Sequence, residues 1–597
     1  MPFEVFERYN LYITPDLFCI EPRRKDGSVV GENYLRIDRI TNEVDLFNSS
    51  KNPIPAAQAE VKAIYGLWGI IPLLAGNYLC VITKASIIGI LNGSEIYHAD
   101  QSECIPYQVG QMHLTQSQRN YNQIYVDLLK ASLNQRGYYF SYDYDLSRTM
   151  QWLSENSSPD FRDRALYERA AVWYLWNNYL ISPLSRRSEL QKYCLPIIHG
   201  FVGIRECFLK GHSFKLVIIS RRPIERPGVR FIVRGVDSNG SAANFVETEQ
   251  IIEYDNGGKV ETRRWTSLIQ LRGSIPLLWS QKPNLKWQPT PYMRPQDDQT
   301  DAFVSHMKEL KRRYGGTHVI VNLVNQKGRE HGVGGELARV SLQASLDFVR
   351  YIPFDFHKEC KNLNWSRLSL LRDILKPLQR EFGFFSSSVA NPSEARRQKG
   401  FFRTNCMDCL DRTNVGQAMI AKESLRDQLV HLGIFNENDD LDTFETFVFI
   451  FRNLWADNGD EISKQYAGTG ALKTDYTRVG KRTTNGAVQD GINALTRYYK
   501  NNFTDGYKLD SMNLLLGYFK LPEMGAPEGL DRPLISIDAN GFAIVGAVFS
   551  MAMTLLCVLV SENVTATIVW FVIFLAFAAF IYLNGEEFVR KPKLKKD

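Results

Sequence analysis

The sequence predicts a mixed α+β / α/β protein that ends in two transmembrane helices. Short apolar or alternating runs divided by Gly, Asn and Pro dominate residues 1–110, which is typical of antiparallel β-structure. Helix-like and strand-like segments alternate after Gln296, which is typical of an α/β unit. Two uncharged apolar runs lie near the C-terminus, at residues 542–560 and 566–583. Each is close to the ~20 residues that a helix needs to cross a bilayer.

Length and composition narrow the class of protein. A chain of 597 residues is too long for one core, so we expect two or three globular units. The net charge of +6 is a mild basic balance that neither demands nor excludes an anionic partner. The nine cysteines lack paired spacing, so the bulk of the chain is expected in the cytosol, without a disulfide framework.

Two globular units are predicted before the apolar runs. Residues 1–185 are expected to form a mainly β N-terminal subdomain, with helical periodicity at 116–134 and 161–180. Residues 186–502 are expected to form the catalytic unit. Its strand-like runs are 214–220, 229–236, 243–252, 264–271 and 318–324, and its helix-like runs are 301–313, 336–351 and 368–382.

The C-terminal part is predicted to be a membrane anchor. Residues 503–541 carry several Pro and Gly and little periodicity, so we expect a flexible linker whose extended reach is on the order of 100 Å. A buried helical hairpin of a soluble domain is the alternative for 542–560 and 566–583, but nothing would remain to cover it. The tail, residues 584–597, is basic, and positive residues stay on the cytosolic side. Both termini and the catalytic unit are therefore expected in the cytosol.

The last five residues fit the K-x-K-x-x pattern of a dilysine retrieval signal, with its lysines at Lys593 and Lys595. Coatomer binds this signal on the cytosolic tails of endoplasmic-reticulum membrane proteins. The pattern predicts coatomer as a partner, and the endoplasmic-reticulum membrane with cycling to the Golgi as the location. A basic tail beside a membrane span would produce the same pattern without that role.

Residues 403–414 carry the prediction of chemistry. Cys406 and Arg412 stand six positions apart, after a strand-like run and before a helix-like run. The loop between them is predicted to turn its N–H groups inward and to bind phosphate together with the helix N-terminus and the Arg412 fork. The same groups stabilise a thiolate, so Cys406 is the predicted nucleophile. The predicted phosphate-loop residues are Met407, Asp408, Cys409, Leu410, Asp411 and Thr413.

The proton donor stays open between Asp408, Asp411 and a carboxylate from elsewhere. Asp408 is favoured because Asp411 adjoins Arg412 and is suited to orient it. A Cys-x5-Arg spacing alone is weak evidence. An inert buried Cys406 and a metal pair made by Cys406 and Cys409 are the alternatives, although no second Cys or His pair with finger-like spacing accompanies them. Cys409 is also placed to trap oxidised Cys406 as a disulfide.

Residues 403–414 resemble the R-x-N-C-x-D-C-L-D-R-T-N signature of the Sac-domain phosphoinositide phosphatases. The resemblance extends to residues 220–222, 225–231, 234–235, 244–250, 272–277, 279–281, 322–328, 466–475 and 480–483. The two apolar runs and the dilysine-like end are similar to the endoplasmic-reticulum and Golgi branch of that family, which removes the 4-phosphate from phosphatidylinositol 4-phosphate. The resemblance implies a Sac subdomain packed on the catalytic unit, no metal and no cofactor, Cys406 as nucleophile and Arg412 as phosphate ligand.

The resemblance also implies the substrate: phosphatidylinositol 4-phosphate, and also the 3-phosphate isomer, hydrolysed through a cysteinyl-phosphate intermediate at the cytosolic membrane surface. No nucleic-acid partner is expected. Basic residues near the motifs are candidates for binding the headgroup or the lipid surface, and a purely solvated role is the alternative for them. These residues are Arg221, Arg222, Lys327, Arg396, Arg397 and Lys399. The alternative functions are a membrane-anchored protein phosphatase and a non-catalytic phosphoinositide-binding membrane tether.

Overall fold

The computed structural model describes residues 5–108, 110, 112–255, 260–295, 299–361, 367–479, 483–521, 539–560 and 564–594. Its strands are β1 Arg8–Ile13, β2 Leu17–Arg23, β3 Asn33–Asp38, β4 Val44–Asn48, β5 Glu60–Ile64, β6 Gly66–Leu73, β7 Gly76–Leu91, β8 Ser94–Pro106, β9 Tyr138–Phe140, β10 Ile198–Leu209, β11 His212–Arg221, β12 Val246–Tyr254, β13 Arg264–Arg272, β14 Trp279–Ser280, β15 Tyr292–Met293, β16 Thr317–Asn322, β17 Val349–Pro353, β18 Phe385–Ser388 and β19 Gly400–Asn405. Its α-helices are α1 Gln116–Leu133, α2 Met150–Glu155, α3 Pro159–Arg162, α4 Leu166–Arg169, α5 Asn178–Ser185, α6 Gln299–Tyr314, α7 His331–Ala344, α8 Phe356–Glu359, α9 Leu368–Phe382, α10 Asp411–His431, α11 Glu445–Ala467, α12 Thr474–Val479, α13 Thr484–Phe503, α14 Asp505–Leu515, α15 Ala539–Val560 and α16 Val564–Leu583.

The N-terminal part is mainly β, as the alternating runs predict. Five antiparallel strands form a sheet in the order β4-β3-β2-β1-β5. Strand β1 buries Tyr9 and Leu11 and turns Arg8 and Asn10 outward, which is the period-two pattern of a sheet with one covered face. That face packs into a core with residues of β6, β7 and α5.

A second sheet of 12 strands joins the two predicted units. Its order is β17-β16-β19-β13-β12-β11-β10-β9-β8-β7-β6, with β18 beside β13. Strand β9 precedes the predicted boundary at residue 185 and β10 follows it, yet the two pair at Ile198↔Tyr139. The predicted boundary therefore lies between neighbouring strands of one sheet, and backbone hydrogen bonds hold the N-terminal part on the rest of the chain.

The other end of this sheet has the α/β form that the sequence predicts. Strand β19 is parallel to β16 on one side and to β13 on the other. Its Phe402 packs in a core with residues of α9, α10 and α11, and Phe401 packs in another with residues of α6 and α7. Helices thus cover both faces of the sheet. The carboxyl end of β19 opens at the edge where such folds bind ligands.

The prediction of a flexible linker from residue 503 is wrong at its N-terminal end. Helix α14 lies within this stretch, and its Leu509, Met512, Leu514 and Leu515 are buried in a core shared with α1 and the N-terminal strands. Burial against a distant part of the chain stabilises a helix whose local periodicity is weak. Residues 522–538 of the predicted linker lie outside the described residues.

Helices α15 and α16 are long and apolar enough to cross a membrane. The stretches Gly541–Val560 and Val564–Leu583 have mean hydropathies of 2.5 and 2.6 and are hardly buried. They contain both predicted apolar runs, 542–560 and 566–583. The two helices pack against each other, with Gly546 against the ring of Phe577.

The basic tail is folded onto the rest of the chain within its described residues. Gly585–Glu587 forms a 3-10 turn, and Leu594 is fully buried. Lys595 lies outside the described residues. The tail therefore returns to the globular part within its described length.

Candidate active site

The loop from Cys406 to Arg412 begins where β19 ends and leads into α10, so strand, loop and helix occur at the predicted positions. The strand is anchored on both sides at this point. Arg403 is fully buried and donates to the Ser274 carbonyl at 2.6 Å. Asn405 donates through its side chain to Asn322 on β16, also at 2.6 Å. These bonds fix the end of β19 and hence the start of the loop.

Buried side chains hold the carbonyl groups of the loop outward. The donor–acceptor pairs are Arg234 to the Met407 carbonyl at 3.0 Å, Asn244 to that of Asp408 at 3.1 Å, and Arg272 to those of Cys409 and Leu410. Cys409 adopts a φ of 53°, so the chain turns sharply there. With these carbonyls held by other side chains, the Cys409 N–H points into the loop and donates to Cys406 Sγ at 3.1 Å, an orientation that suits an anion.

Cys406 is buried, and its Sγ accepts two hydrogen bonds. The donors are the Cys409 N–H at 3.1 Å and the Thr413 hydroxyl at 3.4 Å. The Cys409 side chain, the Arg412 charge and the Thr413 hydroxyl together lower the pKa of Cys406 to about 6, although burial opposes this. Burial and the neighbouring Cys406 raise the pKa of Cys409 well above its ordinary value. Cys406 is therefore the more acidic of the two thiols.

A carboxylate from the segment after β16 fixes the Arg412 guanidinium. Nη1 and Nη2 of Arg412 each lie 2.9 Å from an oxygen of Glu330. Nη1 also donates to the Leu323 carbonyl and the Asn325 side chain, both at 3.3 Å. Because the two-pronged pairing sets the plane of the guanidinium, Glu330 orients Arg412.

Asp408 is held as a carboxylate. One of its oxygens lies 2.8 Å from Arg230 Nη2 and the other 2.6 Å from Arg234 Nη2. These two charges, that of Arg230 first, hold the pKa of Asp408 well below its usual range, although burial raises it. A carboxyl group that stays ionised has no proton to give, so this arrangement disfavours the predicted role of Asp408 as proton donor.

Asp411 is the first residue of α10 and links the loop to a later segment. Its Oδ1 accepts from the Leu472 N–H at 2.7 Å, and its Oδ2 accepts from Arg497 Nη1 at 3.4 Å. Asp411 and Cys406 line the same cavity.

The cavity over the loop has a volume of about 410 Å³. This lies within the range of roughly 300–1,000 Å³ that is usual for small-ligand sites. The charged residues in its lining are Arg230, Arg412, Lys473, Arg497, Glu330, Asp408 and Asp411. Each carboxylate in this lining is paired with an arginine, Glu330 with Arg412, Asp408 with Arg230 and Asp411 with Arg497, so the lining carries one more cation than carboxylate. Within the described residues, no group of three or more His, Cys, Asp or Glu is placed to hold a metal ion.

Two of the six basic residues predicted to bind the headgroup are structural instead. Arg221 is fully buried and pairs with Glu247 at 2.7 Å and Glu249 at 2.9 Å. Arg222 is buried beside His199. The prediction is wrong for both, because neither side chain reaches a surface where lipid could lie.

The other four candidates, Lys327, Arg396, Arg397 and Lys399, are exposed but lie outside the lining of the cavity over Cys406. Arg397 pairs with Glu155 at 2.8 Å. Contact of these four with a lipid surface stays a prediction.

The residues that hold the loop were missed from the sequence. Arg230, Arg234, Asn244 and Arg272 all lie in the segments that carry the family resemblance, and Arg230 and Arg272 stand next to apolar residues that become buried. That combination of charge and apolar surroundings was the available signal. Glu330 and Arg497 had no comparable signal, because they lie outside those segments.

The fold and the loop define a class of site: a buried cysteine at the end of a central strand, whose Sγ accepts a backbone N–H bond at the start of a helix. Residues 65–361 match the SacI homology domain family. The chain is 40% identical to a Danio rerio protein named phosphatidylinositol-3-phosphatase SAC1-A, over 99% of this chain and 98% of that protein. Identity to the Drosophila melanogaster phosphatidylinositol-3-phosphatase SAC1 is 37%, over 99% and 97%. The Saccharomyces cerevisiae protein of the same name is 33% identical, over 95% and 91%.

The Danio rerio and Drosophila melanogaster proteins match 99% of this chain, and the match therefore includes the Cys406 loop and the two apolar helices as well as the matched domain. The chain therefore belongs to the Sac-domain phosphoinositide phosphatase family.

Proposed function

We propose that the chain hydrolyses the monophosphate of phosphatidylinositol 4-phosphate, and of the 3-phosphate isomer, at the cytosolic surface of its membrane. The general class, a phosphatidylinositol-phosphate phosphatase, follows from the family. The observation that carries the chemistry is the position of Cys406 at the start of α10, where its Sγ accepts from the Cys409 N–H at 3.1 Å and from the Thr413 hydroxyl at 3.4 Å. Arg412 and the cavity above the Cys406 loop provide the setting for an anionic substrate.

The reaction takes two steps. The Cys406 thiolate attacks phosphorus, and the new S–P bond forms as the P–O bond to inositol breaks, with the electron pair leaving on the inositol oxygen. Water then attacks phosphorus, the S–P bond breaks, and inorganic phosphate leaves as the thiolate is restored. The loop N–H groups and Arg412 stabilise the charge on the phosphoryl oxygens in both steps.

We assign the proton transfers to Asp411. Both aspartates line the cavity, but Asp408 is paired with two arginines at 2.8 Å and 2.6 Å, whereas Asp411 has one longer ion pair, with Arg497 at 3.4 Å, beside its bond from the Leu472 N–H. Asp411 gives a proton to the leaving inositol oxygen and then takes one from the attacking water. Asp408 serves instead to fix the loop against Arg230 and Arg234.

Turnover of both monophosphate isomers is expected because the loop contacts only phosphoryl oxygens, which the two isomers share. The relatives described above carry the name phosphatidylinositol-3-phosphatase. The motif resemblance supports the 4-phosphate. Preference between the isomers then depends on how the cavity walls hold the inositol ring.

The two apolar helices are proposed to cross the endoplasmic-reticulum membrane as a hairpin, with both termini and the catalytic unit in the cytosol. Their length, apolarity and low burial support this. The Lys and Arg residues after α16 support the orientation. Lys593 and Lys595 are proposed to bind coatomer during cycling to the Golgi.

The test is phosphate release by the full chain reconstituted in vesicles that each contain one phosphoinositide isomer. We expect release from the 4-phosphate and the 3-phosphate monoesters and none from Cys406→Ser. That variant should still bind a water-soluble short-chain phosphatidylinositol 4-phosphate, because the loop N–H groups and Arg412 remain. Cys207→Ser, at a buried cysteine on β10, is the matched control and should retain activity.

Two results would favour the alternatives. A preference for a phosphotyrosine peptide over every lipid isomer would indicate a membrane-anchored protein phosphatase. Retention of every cellular effect by Cys406→Ser would indicate a non-catalytic membrane tether.

A further inference from the structure

The segment that follows α16 returns to the catalytic unit and docks on α13 and α14. Leu594 is fully buried in the core that contains Met512. The Asp510 carboxylate accepts from the peptide N–H groups of Lys593 at 2.9 Å and Leu594 at 2.7 Å. Asn513 donates to the Leu594 carbonyl at 2.8 Å. This is a specific peptide-binding slot, occupied by the chain's own tail.

The contact continues back along the tail toward α16. The Arg590 N–H donates to the Asn502 carbonyl at 2.8 Å, and its guanidinium lies 5.3 Å from the centre of the Tyr507 ring. Gly506 lies against the Arg590 carbonyl so closely that a Cβ there would overlap it. The backbone of Gly506 is not in the left-handed region, so the tail, rather than helix geometry, requires glycine at this position.

The C-terminal end of α16 also contacts the catalytic unit directly. Lys286 Nζ lies 5.8 Å from the centre of the Tyr582 ring, and Gly585 packs against the Asn284 carbonyl. Gln288 lines the cavity over Cys406. Since two residues span at most about 7 Å, the rim of the cavity lies close to the end of α16.

We propose that the docked tail, residues 585–594, clamps the catalytic unit onto the cytosolic end of α16, so that the enzyme takes its lipid from its own bilayer and not from an apposed one. The proposal rests on the proposed function, both for the reaction and for the membrane spans. Without the tail contact, the 17 residues from 522 to 538 would connect the catalytic unit to α15, and 17 residues span at most about 60 Å. The docked tail removes that reach, because only about eleven residues separate Leu583 from Leu594 and the first of them already touch the unit. Release of the tail restores it.

The experiment uses the full chain reconstituted in vesicles and compares two assays, which differ in the vesicles that contain the substrate. In the first, phosphatidylinositol 4-phosphate is in the same vesicles as the enzyme. In the second assay, phosphatidylinositol 4-phosphate is only in acceptor vesicles, and an added lipid tether holds these acceptor vesicles close to the vesicles that carry the enzyme. Gly506→Ala is the releasing variant, since alanine favours the helix but collides with the tail. Gly491→Ala on α13, where a Cβ meets open space, is the matched control. Leu594→Asp tests the same contact from the tail side.

We expect the wild-type chain and Gly491→Ala to act mainly on their own vesicles. Gly506→Ala and Leu594→Asp should raise the ratio of acceptor-vesicle to own-vesicle turnover by about tenfold, because both substitutions shift the enzyme from the state with a docked tail to the state with a released tail. Hydrogen exchange provides a readout that is independent of activity. The amides of Lys593 and Leu594 should be protected in the wild-type chain and in Gly491→Ala, and should exchange freely in Gly506→Ala.

Equal turnover of both vesicle populations by the wild-type chain would overturn the proposal. So would unprotected tail amides in the wild-type chain, or an unchanged ratio in a variant whose tail amides have lost protection. Failure of the proposed function is distinguishable: phosphate release would be absent from both arrangements, while the tail amides would still be protected.

Discussion

Thr413→Val is expected to raise the pKa of Cys406 by about one unit. The Thr413 side chain is fully buried and its hydroxyl donates to Cys406 Sγ at 3.4 Å, while valine has nearly the same shape without the donor. A hydrogen bond to a charged group contributes about 1.5–3 kcal/mol, and this long contact belongs at the low end. One pKa unit corresponds to about 1.4 kcal/mol. Since the thiolate is the form that gains the bond, its loss raises the pKa, from about 6 toward about 7.

The consequence for activity depends on pH. Near pH 6 about half of wild-type Cys406 is thiolate but only about a tenth in the variant, so kcat/KM should fall about fivefold there and change little near pH 8. The assay follows alkylation of Cys406 by iodoacetamide across this pH range, by peptide mass spectrometry, alongside kcat/KM. Thr413→Ser keeps the hydroxyl and is the control. A valine variant that titrates like the wild type, or a serine variant that shifts as far as valine, would refute the reasoning.

Three further substitutions separate the roles of charged residues. Asp411→Asn is expected to lower turnover by about 10²–10⁴-fold and to remove one limb of the pH–rate profile, whereas Asp408→Asn should leave that limb in place; the opposite result would restore Asp408 as proton donor. Arg221→Met is expected to lower the free energy of unfolding by about 3–5 kcal/mol, because two buried glutamates lose their partner, and to leave the KM of the folded enzyme unchanged. Chemical denaturation and kinetics test this, and a raised KM at unchanged stability would support the original headgroup role. Glu330→Gln is expected to reduce kcat/KM about tenfold by loosening Arg412, without a change in melting temperature. Glu336→Gln on α7 is its control, and equal effects of the two would exclude a specific role for Glu330.

The central loop could be predicted because its parts are adjacent in the chain. Strand, cysteine, arginine and helix start all fall within residues 400–414. The residues that give the loop its properties are not adjacent. Arg230 and Arg234 meet Asp408 from 178 and 174 positions away. The local sequence pattern does not predict contacts between residues so far apart in the chain. The prediction of Asp408 as proton donor was therefore made without the two arginine charges that hold Asp408 ionised.

The same distinction, between residues adjacent in the chain and residues far apart in it, explains which parts of the fold were predicted correctly and which were not. The apolar helices α15 and α16 could be predicted because composition and length alone identify them. The pairing of β9 with β10 could not, because it depends on which strands meet after folding. Arg221 and Arg222 resemble surface cations in sequence, yet they are buried because β11 lies inside the 12-stranded sheet.

The buried face of α14 shows where the catalytic unit ends. A unit of residues 186–502, as the sequence predicts, would stop just before Leu509, Met512, Leu514 and Leu515, which fill a core with the N-terminal strands. Burying each such side chain contributes about 1.5–3 kcal/mol, so their loss removes on the order of 6–12 kcal/mol. That is comparable with the whole stability of a typical domain, about 5–15 kcal/mol.

A chain ended at residue 502 is therefore expected to lose cooperative unfolding and to bind a hydrophobic dye, whereas one ended at residue 521 should fold and retain a protected core. Circular dichroism melting and dye binding compare the two directly. Equal melting transitions of the two truncated chains would show that α14 lies on the surface without stabilising the catalytic unit. In that case the tail would dock on an element that does not belong to the catalytic unit, and the contact of Leu594 could not hold the active-site cavity at the end of α16.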